Sequence, residues 1–319
     1  MKSRHLTVVL GLAAMLLLCS GSLWADENNP DAGTSAFYFL KIPVGARPMA
    51  MGGAFTGVAN DETSLYYNPG GIADLKGKRY VAGYNNNVFD MQSGFLGYIH
   101  PVGENRKVTV YLNYLSYGDF VETDDTGRVL GTFGGSDLLF AAGYAMNINP
   151  KLAVGGTLKL IYEKIDDFSA TGFAIDLGAR LAVDRQQRTH VGVMIQNLGK
   201  QLSTFGDGEK DPLPLVVRGG VSSYLKGLPL LIAGDLIYPT DNDLYFALGG
   251  ELLALKPLYL RLGYSNFGEN YKTGSSKDDL SGFTAGFGVD YKYMQISYTI
   301  TPQAELGTSH RITLTGGFQ

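Results

Sequence analysis

Histidines and a lone serine–histidine pair are the side chains best suited to acid–base or metal chemistry, and their positions support neither. His100, His190 and His310 are far apart, and none has a partner at a metal-ligand spacing. Ser309 and His310 are adjacent, but neighbouring residues of a strand point to opposite faces and cannot form a nucleophile–base pair. We therefore predict no catalytic site, no metal site and no cofactor.

Charged side chains that alternate with apolar ones are the second feature with chemical potential. If the strands form a membrane barrel whose apolar faces point to lipid, their opposite faces place these charges in the barrel lumen. They are Lys159, Glu163, Asp176, Arg180, Arg218, Asp235, Glu251, Arg261 and Asp290. Because both signs occur in similar number, we favour cross-strand ion pairs that stabilise the structure, and a substrate-selective lining is the alternative.

Regular alternation of apolar with small or polar residues is the pattern that must position these charges. In residues 137–147, Leu138, Phe140 and Tyr144 share one face, whereas Ala141 and Ala145 lie on the other. After the N-terminal apolar run, no stretch approaches the ~20 apolar residues of a membrane-spanning helix. We count about fourteen alternating segments, each near the ~10 residues with which a tilted strand crosses a bilayer. The pattern predicts an all-β fold, a transmembrane antiparallel β-barrel over residues 79–319.

The connections between these segments alternate in length. Long polar stretches at 119–136, 199–213 and 266–279 alternate with tight joins such as 101–106 and 292–293. Outer-membrane barrels have short turns in the periplasm and long loops outside, whereas a soluble β-sandwich has no reason to sort its loops in this way. We expect the outer membrane of a Gram-negative (diderm) bacterium, with its lipid as a partner.

The first 25 residues have the pattern of a cleaved secretory signal. Lys2 and Arg4 precede an apolar run too short to span a membrane, and small residues follow up to Ala25. Cys19 is the only cysteine of the chain, so the exported protein would have no disulfide and no thiol nucleophile. A net charge of −4 without a Lys/Arg run predicts no nucleic-acid partner.

Residues 26–78 differ in composition from the alternating segments: they are largely apolar, with glycines at intervals. This segment includes Gly45, Ala46, Arg47, Gly52, Gly53, Asn68, Pro69 and Gly71. These motifs closely resemble the N-terminal signature of the PorV/PorQ family, within the FadL superfamily of outer-membrane proteins; Gly70 stands where that family has alanine. The resemblance implies an N-terminal hatch folded into the barrel, and an extension outside the barrel is the alternative. Inside the lumen, Arg47 would need a carboxylate partner.

The third predicted strand changes phase. Its apolar positions run from Val108 to Tyr114 on one face and then move to Leu115 and Tyr117 on the other. Such a slip indicates a β-bulge, and FadL relatives open sideways into the membrane at a kink in this strand. A strand that is apolar on both faces against the hatch is the alternative.

Two functions follow from the resemblance. The N-terminal signature favours a non-enzymatic barrel partner in type IX-like protein secretion, which would bind secreted proteins or envelope secretion subunits. The alternative is a FadL-like channel for passive uptake of fatty acids or other hydrophobic small molecules. An apolar tunnel through the hatch and the barrel wall would favour transport, whereas a closed lumen with large exposed loops would favour a protein partner.

Overall fold

A computed structural model of the chain describes residues 33–318. The predicted signal segment of residues 1–25 with Cys19, the first predicted hatch residues 26–32, and Gln319 lie outside the described residues.

Fourteen antiparallel strands, each paired with its neighbours in chain order, close into one barrel in which β1 pairs with β14. The strands are β1 Lys78–Asn86, β2 Gln92–Pro101, β3 Arg106–Thr123, β4 Val129–Asn149, β5 Leu152–Ile165, β6 Phe168–Ala182, β7 Thr189–Ser203, β8 Val216–Tyr224, β9 Leu230–Pro239, β10 Tyr245–Leu252, β11 Leu258–Ser265, β12 Phe283–Tyr291, β13 Met294–Pro302 and β14 Thr308–Phe318. The predicted all-β antiparallel barrel is thereby confirmed.

The two ends of the barrel differ in their connections. The turn end holds short joins such as 102–105 and 292–293, together with the start of β1 and the end of β14. The opposite, loop end holds 204–215 and 266–282; the second contains the 3-10 helices Asn266–Tyr271 and Ser276–Leu280.

Two connections differ from the length pattern that the sequence predicts. Most of residues 119–136 belongs to β3 and β4, which leaves 124–128 as the connection. At the same end, β5 and β6 are joined by residues 166–167 alone. A hairpin that extends beyond the membrane meets water on both faces, so its polar composition resembles that of a loop.

The outer face of the barrel is apolar, as the alternation predicts. On β4, Leu138 and Phe140 are exposed, whereas Leu139 and Ala141 are buried inside. Because each strand alternates in this way, large apolar side chains cover the outside and small or polar ones meet the lumen.

The segment before β1 lies inside the barrel as a hatch. It contains a 3-10 helix Tyr38–Lys41, helix α1 Ala46–Ala50, helix α2 Ser64–Tyr67 and a 3-10 helix Pro69–Asp74. The described part of this segment runs from the loop end, where Lys41 pairs with Asp241, to the turn end, where β1 begins. No helix among residues 33–318 is both long and apolar enough to cross a membrane.

A β-bulge interrupts β3 at the position of the phase slip. The register with β4 shifts between Ser116 and Asp119, and Gly118 between them has a φ of +76°. Leu115 is buried inside the barrel, and the Tyr117 hydroxyl donates to Asp137 at 2.7 Å. The slip therefore combines both expectations, a bulge and inward apolar side chains.

Candidate functional site

Two glycines of the N-terminal signature allow close approach of the hatch backbone. Gly52 has a φ of +67°, and a Cβ there would lie 2.7 Å from the Tyr264 carbonyl oxygen of β11. A Cβ on Gly71 would lie 1.9 Å from the Ala59 carbonyl oxygen within the hatch. Both positions require glycine, because no side chain fits there without moving backbone. Of the other signature glycines, Gly45 directly precedes α1 and Gly53 directly follows Gly52.

Asn68 links three backbone segments. Its Nδ2 donates to the carbonyl oxygens of Thr56 at 2.9 Å and of Ala179 on β6 at 3.0 Å. Its Oδ1 accepts from the Gly70 N–H at 3.1 Å. Pro69 begins the next 3-10 helix, where its missing N–H leaves no bond unmade. This turn therefore ties the hatch both to itself and to the wall.

Arg47 lies at the centre of a buried ionic network near the turn end. Its Nε and Nη2 donate to the two oxygens of Glu251 on β10, each at 2.8 Å. Its Nη1 donates to Asn60 at 2.6 Å and to Asp61 at 2.8 Å. Glu251 also accepts from Arg261 Nε on β11 at 2.6 Å. The charges of Arg47 and Arg261 are thus balanced by those of Glu251 and Asp61. The bidentate Arg47–Glu251 pair fixes the hatch to the wall. Ala46 lies beside this network and is fully buried.

Three more ion pairs of the lumen involve the charges identified in the sequence. They are Arg180–Asp74 at 2.9 Å, Arg218–Asp235 at 3.4 Å and Lys159–Asp176 at 2.5 Å. Asp235 also accepts from the hatch N–H groups of Phe55 and Thr56, at 3.1 and 2.9 Å. The lumen charges therefore bind the hatch as well as each other.

Two of the nine candidate lumen residues stand apart from these networks. Glu163 is half-buried and forms no ion pair within the described part of the chain. Asp290 is exposed at the turn end, where its carboxylate accepts from the Tyr259 hydroxyl at 2.5 Å and from Gln295 at 2.7 Å. Neither residue has a hydrogen bond to the described part of the hatch, residues 33–77.

Glu62 in the hatch pairs with Arg79 at the start of β1 and is fully buried. Burial raises the pKa of the Glu62 carboxyl to about 7, and nearby Asp61 adds to the rise, against the lowering effect of Arg79. Its Oε2 atom has no hydrogen-bond partner, which agrees with a preference for the neutral acid.

A partly open cavity of about 330 Å³ lies at the loop end, between the hatch and the wall. Its lining is largely apolar and includes Leu40, Tyr67, Ile237, Ala247, Phe267 and Leu306. The Tyr66 hydroxyl donates to the Leu40 carbonyl at 2.8 Å, and that of Tyr67 to the Val44 carbonyl at 3.1 Å. The two phenols are satisfied within the hatch, so their rings present apolar surface to the cavity.

Three cations line this cavity: Lys41 and Arg218, which pair with Asp241 and Asp235, and Arg311 on β14, which the sequence reasoning missed. Arg311 is 3% exposed, its Nη1 donates to Thr301 at 3.2 Å, and its Nε has no hydrogen-bond partner. No carboxylate among residues 33–318 forms an ion pair with it. The alternation of Arg311 and Thr313 against Ile312 and Leu314 is the signal that would have placed it inside.

The serine and histidine of the one adjacent pair lie on opposite faces of the barrel wall. Ser309 is buried inside the barrel, whereas His310 faces outward, with its Nδ1 2.7 Å from the Tyr298 hydroxyl. The described residues contain no group of three side chains that could hold a metal ion.

Solved structures with a similar fold include transporters and channels of low sequence identity. The toluene transporter TbuX of Ralstonia pickettii matches with a TM-score of 0.61 and 12% identity, over 86% of this chain and 98% of that one. The monoaromatic hydrocarbon channel CymD matches with a TM-score of 0.58 and 12% identity, over 87% of this chain and 98% of that one.

A FadL homologue of Pseudomonas aeruginosa matches with a TM-score of 0.52 and 11% identity, over 86% of this chain and 97% of that one. No protein-family model and no curated protein matches this chain. The chain thus shares the fold of FadL-type channels, a closed fourteen-stranded barrel.

Proposed function

We propose that this protein is a channel for passive uptake of hydrophobic small molecules, which bind in the loop-end cavity. The concave, mostly apolar cavity carries the proposal, because ligand sites are concave, mostly apolar and furnished with few polar groups. The fold shared with channels for toluene and other monoaromatic hydrocarbons supports it. The apolar outer face supports a place in the outer membrane of a Gram-negative bacterium.

Arg311 narrows the class of ligand. A buried guanidinium without a carboxylate is unfavourable, and a ligand acid group would supply the partner that the described residues lack. A fatty acid or another apolar carboxylate therefore fits the cavity better than a plain hydrocarbon.

Binding measurements on the purified protein test this function. Octanoate, octanol and toluene would be compared on the wild type, on Arg311→Met and on Arg311→Lys, after native mass spectrometry of molecules that co-purify. We expect octanoate to bind best and to lose its advantage over octanol in Arg311→Met, with partial recovery in Arg311→Lys. Failure of all three compounds to bind would overturn the proposal.

A barrel partner in type IX-like protein secretion is the second candidate, and it rests on the PorV/PorQ-like signature around Arg47 and Asn68. Co-purification of a secreted protein or an envelope subunit with an empty cavity would favour this role over uptake.

A further inference from the structure

Cations surround the turn end of the barrel. Each of the six turns that join two strands there contains an exposed lysine or arginine or is followed directly by one. These residues, here called the turn-end ring, are Arg106, Lys151, Arg185, Lys226, Lys256 and Lys292. None of them forms an ion pair within residues 33–318. The ring therefore presents its positive charge outward.

Acidic residues of the same end do not neutralise the ring. Asp184 accepts from three backbone N–H groups in and beside its own turn, at 2.8–3.3 Å. Asp290 accepts from two side chains of neighbouring strands, and Asp74 pairs with Arg180. Glu104, in the turn before β3, is exposed. Most of the carboxylates at this end are thus engaged locally, and the positive charge of the ring remains in excess.

The loop end has the opposite charge. Its connections contain three pairs of adjacent aspartates, at 124–125, 166–167 and 278–279, whereas the turns of the other end contain no such pair. The chain as a whole has a net charge of −4. A positive ring on an acidic protein is therefore a local feature, which the overall composition does not explain.

Large apolar side chains lie exposed beside the ring, one in or next to each turn. They are Val102, Ile148, Val183, Leu228, Leu255 and Tyr293. Surrounded only by water, a cation gains nothing from such a neighbour. In a lipid headgroup region both are accommodated, because the apolar side chain reaches the acyl boundary while the cation stays at the level of the phosphates.

The shortness of the turns keeps these cations at the membrane surface. Lys151 and Lys292 lie in connections of two residues, 150–151 and 292–293, and Lys256 lies two residues before β11. One residue of extended chain spans ~3.3 Å, and charges interact over ~8 Å at physiological ionic strength. The ring therefore lies within electrostatic reach of the headgroups that surround the strand ends.

We propose that the turn-end ring binds anionic phospholipid headgroups of the leaflet in which the turns lie. Ammonium and guanidinium groups bind the phosphodiester, and an anionic lipid adds an attraction that a zwitterionic lipid lacks. Cations distributed around the whole circumference fit many small, separate headgroups better than one acidic protein, which needs a continuous patch. The inference concerns the membrane around the barrel and goes beyond the ligand of the cavity.

Native mass spectrometry tests the proposal on the full barrel, released from nanodiscs of equimolar phosphatidylglycerol and phosphatidylcholine. It counts the lipids of each kind that stay bound. The ring variant carries Lys151→Gln, Lys226→Gln, Lys256→Gln and Lys292→Gln. A second variant places arginine at the same four positions and so keeps the charge.

The matched control removes the same charge from the other end of the barrel. It carries Lys164→Gln, Lys200→Gln, Lys210→Gln and Lys272→Gln, at exposed lysines that form no ion pair among the described residues. The ring variant and the control therefore have equal net charge. Gel mobility with and without heating verifies that each barrel is folded.

We expect the wild type to retain phosphatidylglycerol over phosphatidylcholine by about fivefold, and the ring variant to retain the two lipids almost equally. The arginine variant and the loop-end control should keep the wild-type ratio, and molar NaCl should lower it. Octanoate binding should be the same in the ring variant and the wild type, so the uptake function is tested separately.

Two results would overturn the proposal. Equal retention of both lipids by the wild type would show that the ring does not select anionic headgroups, and an acidic soluble protein would then be the occupant to look for. A loss of preference in the loop-end control as large as in the ring variant would show that net charge, and not the ring, attracts the lipid.

Discussion

The two ends of the lumen surround their buried arginines in opposite ways. At the turn end, Arg47, Glu251 and Arg261 satisfy one another and fix the hatch to the wall. At the loop end, Arg311 is equally buried but has no carboxylate among the described residues, and it faces a cavity. Matched charges thus stabilise the contact between hatch and wall, and the proposed binding site contains an unmatched one.

Removal of Glu251 should have the largest effect on this contrast. Glu251→Ala leaves two buried guanidinium groups without their shared carboxylate, so we expect the free energy of unfolding to fall by roughly 3–5 kcal/mol. Urea unfolding of the lipid-inserted barrel measures it. Lys277→Ala, which removes an exposed pair, is the control and should cost less than about 1 kcal/mol. Equal losses in the two variants would refute the turn-end lock.

Titration of Glu62 should change the stability of the hatch with pH. The folded protein holds this proton more tightly than the unfolded chain, so stability falls as pH rises from 4.5 to about 7. The loss is about 3 kcal/mol from the size of the pKa shift. Urea unfolding across this window checks the slope, and Glu62→Gln should flatten it. An unchanged slope in the variant would contradict the assignment.

Contact between hatch and wall predicts a smaller effect at Gly192. A Cβ there would lie 2.0 Å from the Thr56 carbonyl oxygen, so Gly192→Ala forces the hatch backbone to move. We expect a loss of about 1–3 kcal/mol in the same unfolding measurement. Gly219→Ala on the adjacent strand is the matched control, because a Cβ there meets nothing within 4 Å. A hatch that packs loosely would make the two variants alike.

Arg311→Met should have the smallest effect on stability. The substitution removes an unmatched buried charge, so unfolding should change by less than about 1 kcal/mol or become more difficult. Arg261→Met makes the same change at the matched end and should destabilise by roughly 3 kcal/mol. Comparable destabilisation by both, in parallel urea titrations, would remove the distinction between the two ends.

Alternation predicted most of the barrel, because lipid outside and a crowded lumen inside impose a period of two on every strand. The inward charges Arg180, Arg218 and Asp235 and the bulge after Leu115 follow from the same period. Their partners in the hatch do not, since residues such as Asp74 lie on short helical turns whose direction depends on tertiary contacts.

Arg311 escaped prediction for a different reason. Its alternation with Ile312 and Leu314 is enough to place it inside the barrel. That no described carboxylate pairs with it depends on how the hatch packs against β14, which no periodicity reveals.

The seam between β1 and β14 also orders the folding of the protein. Lys78 pairs with Phe318, so the contact that closes the barrel joins the first strand to the last and carries a large loop-closure entropy. The hatch directly precedes β1 and is surrounded by every later strand. The hatch must therefore pack against the sheet before β1 and β14 pair. Mutations that weaken the contacts between hatch and wall should slow barrel assembly as well as lower the stability of the folded barrel.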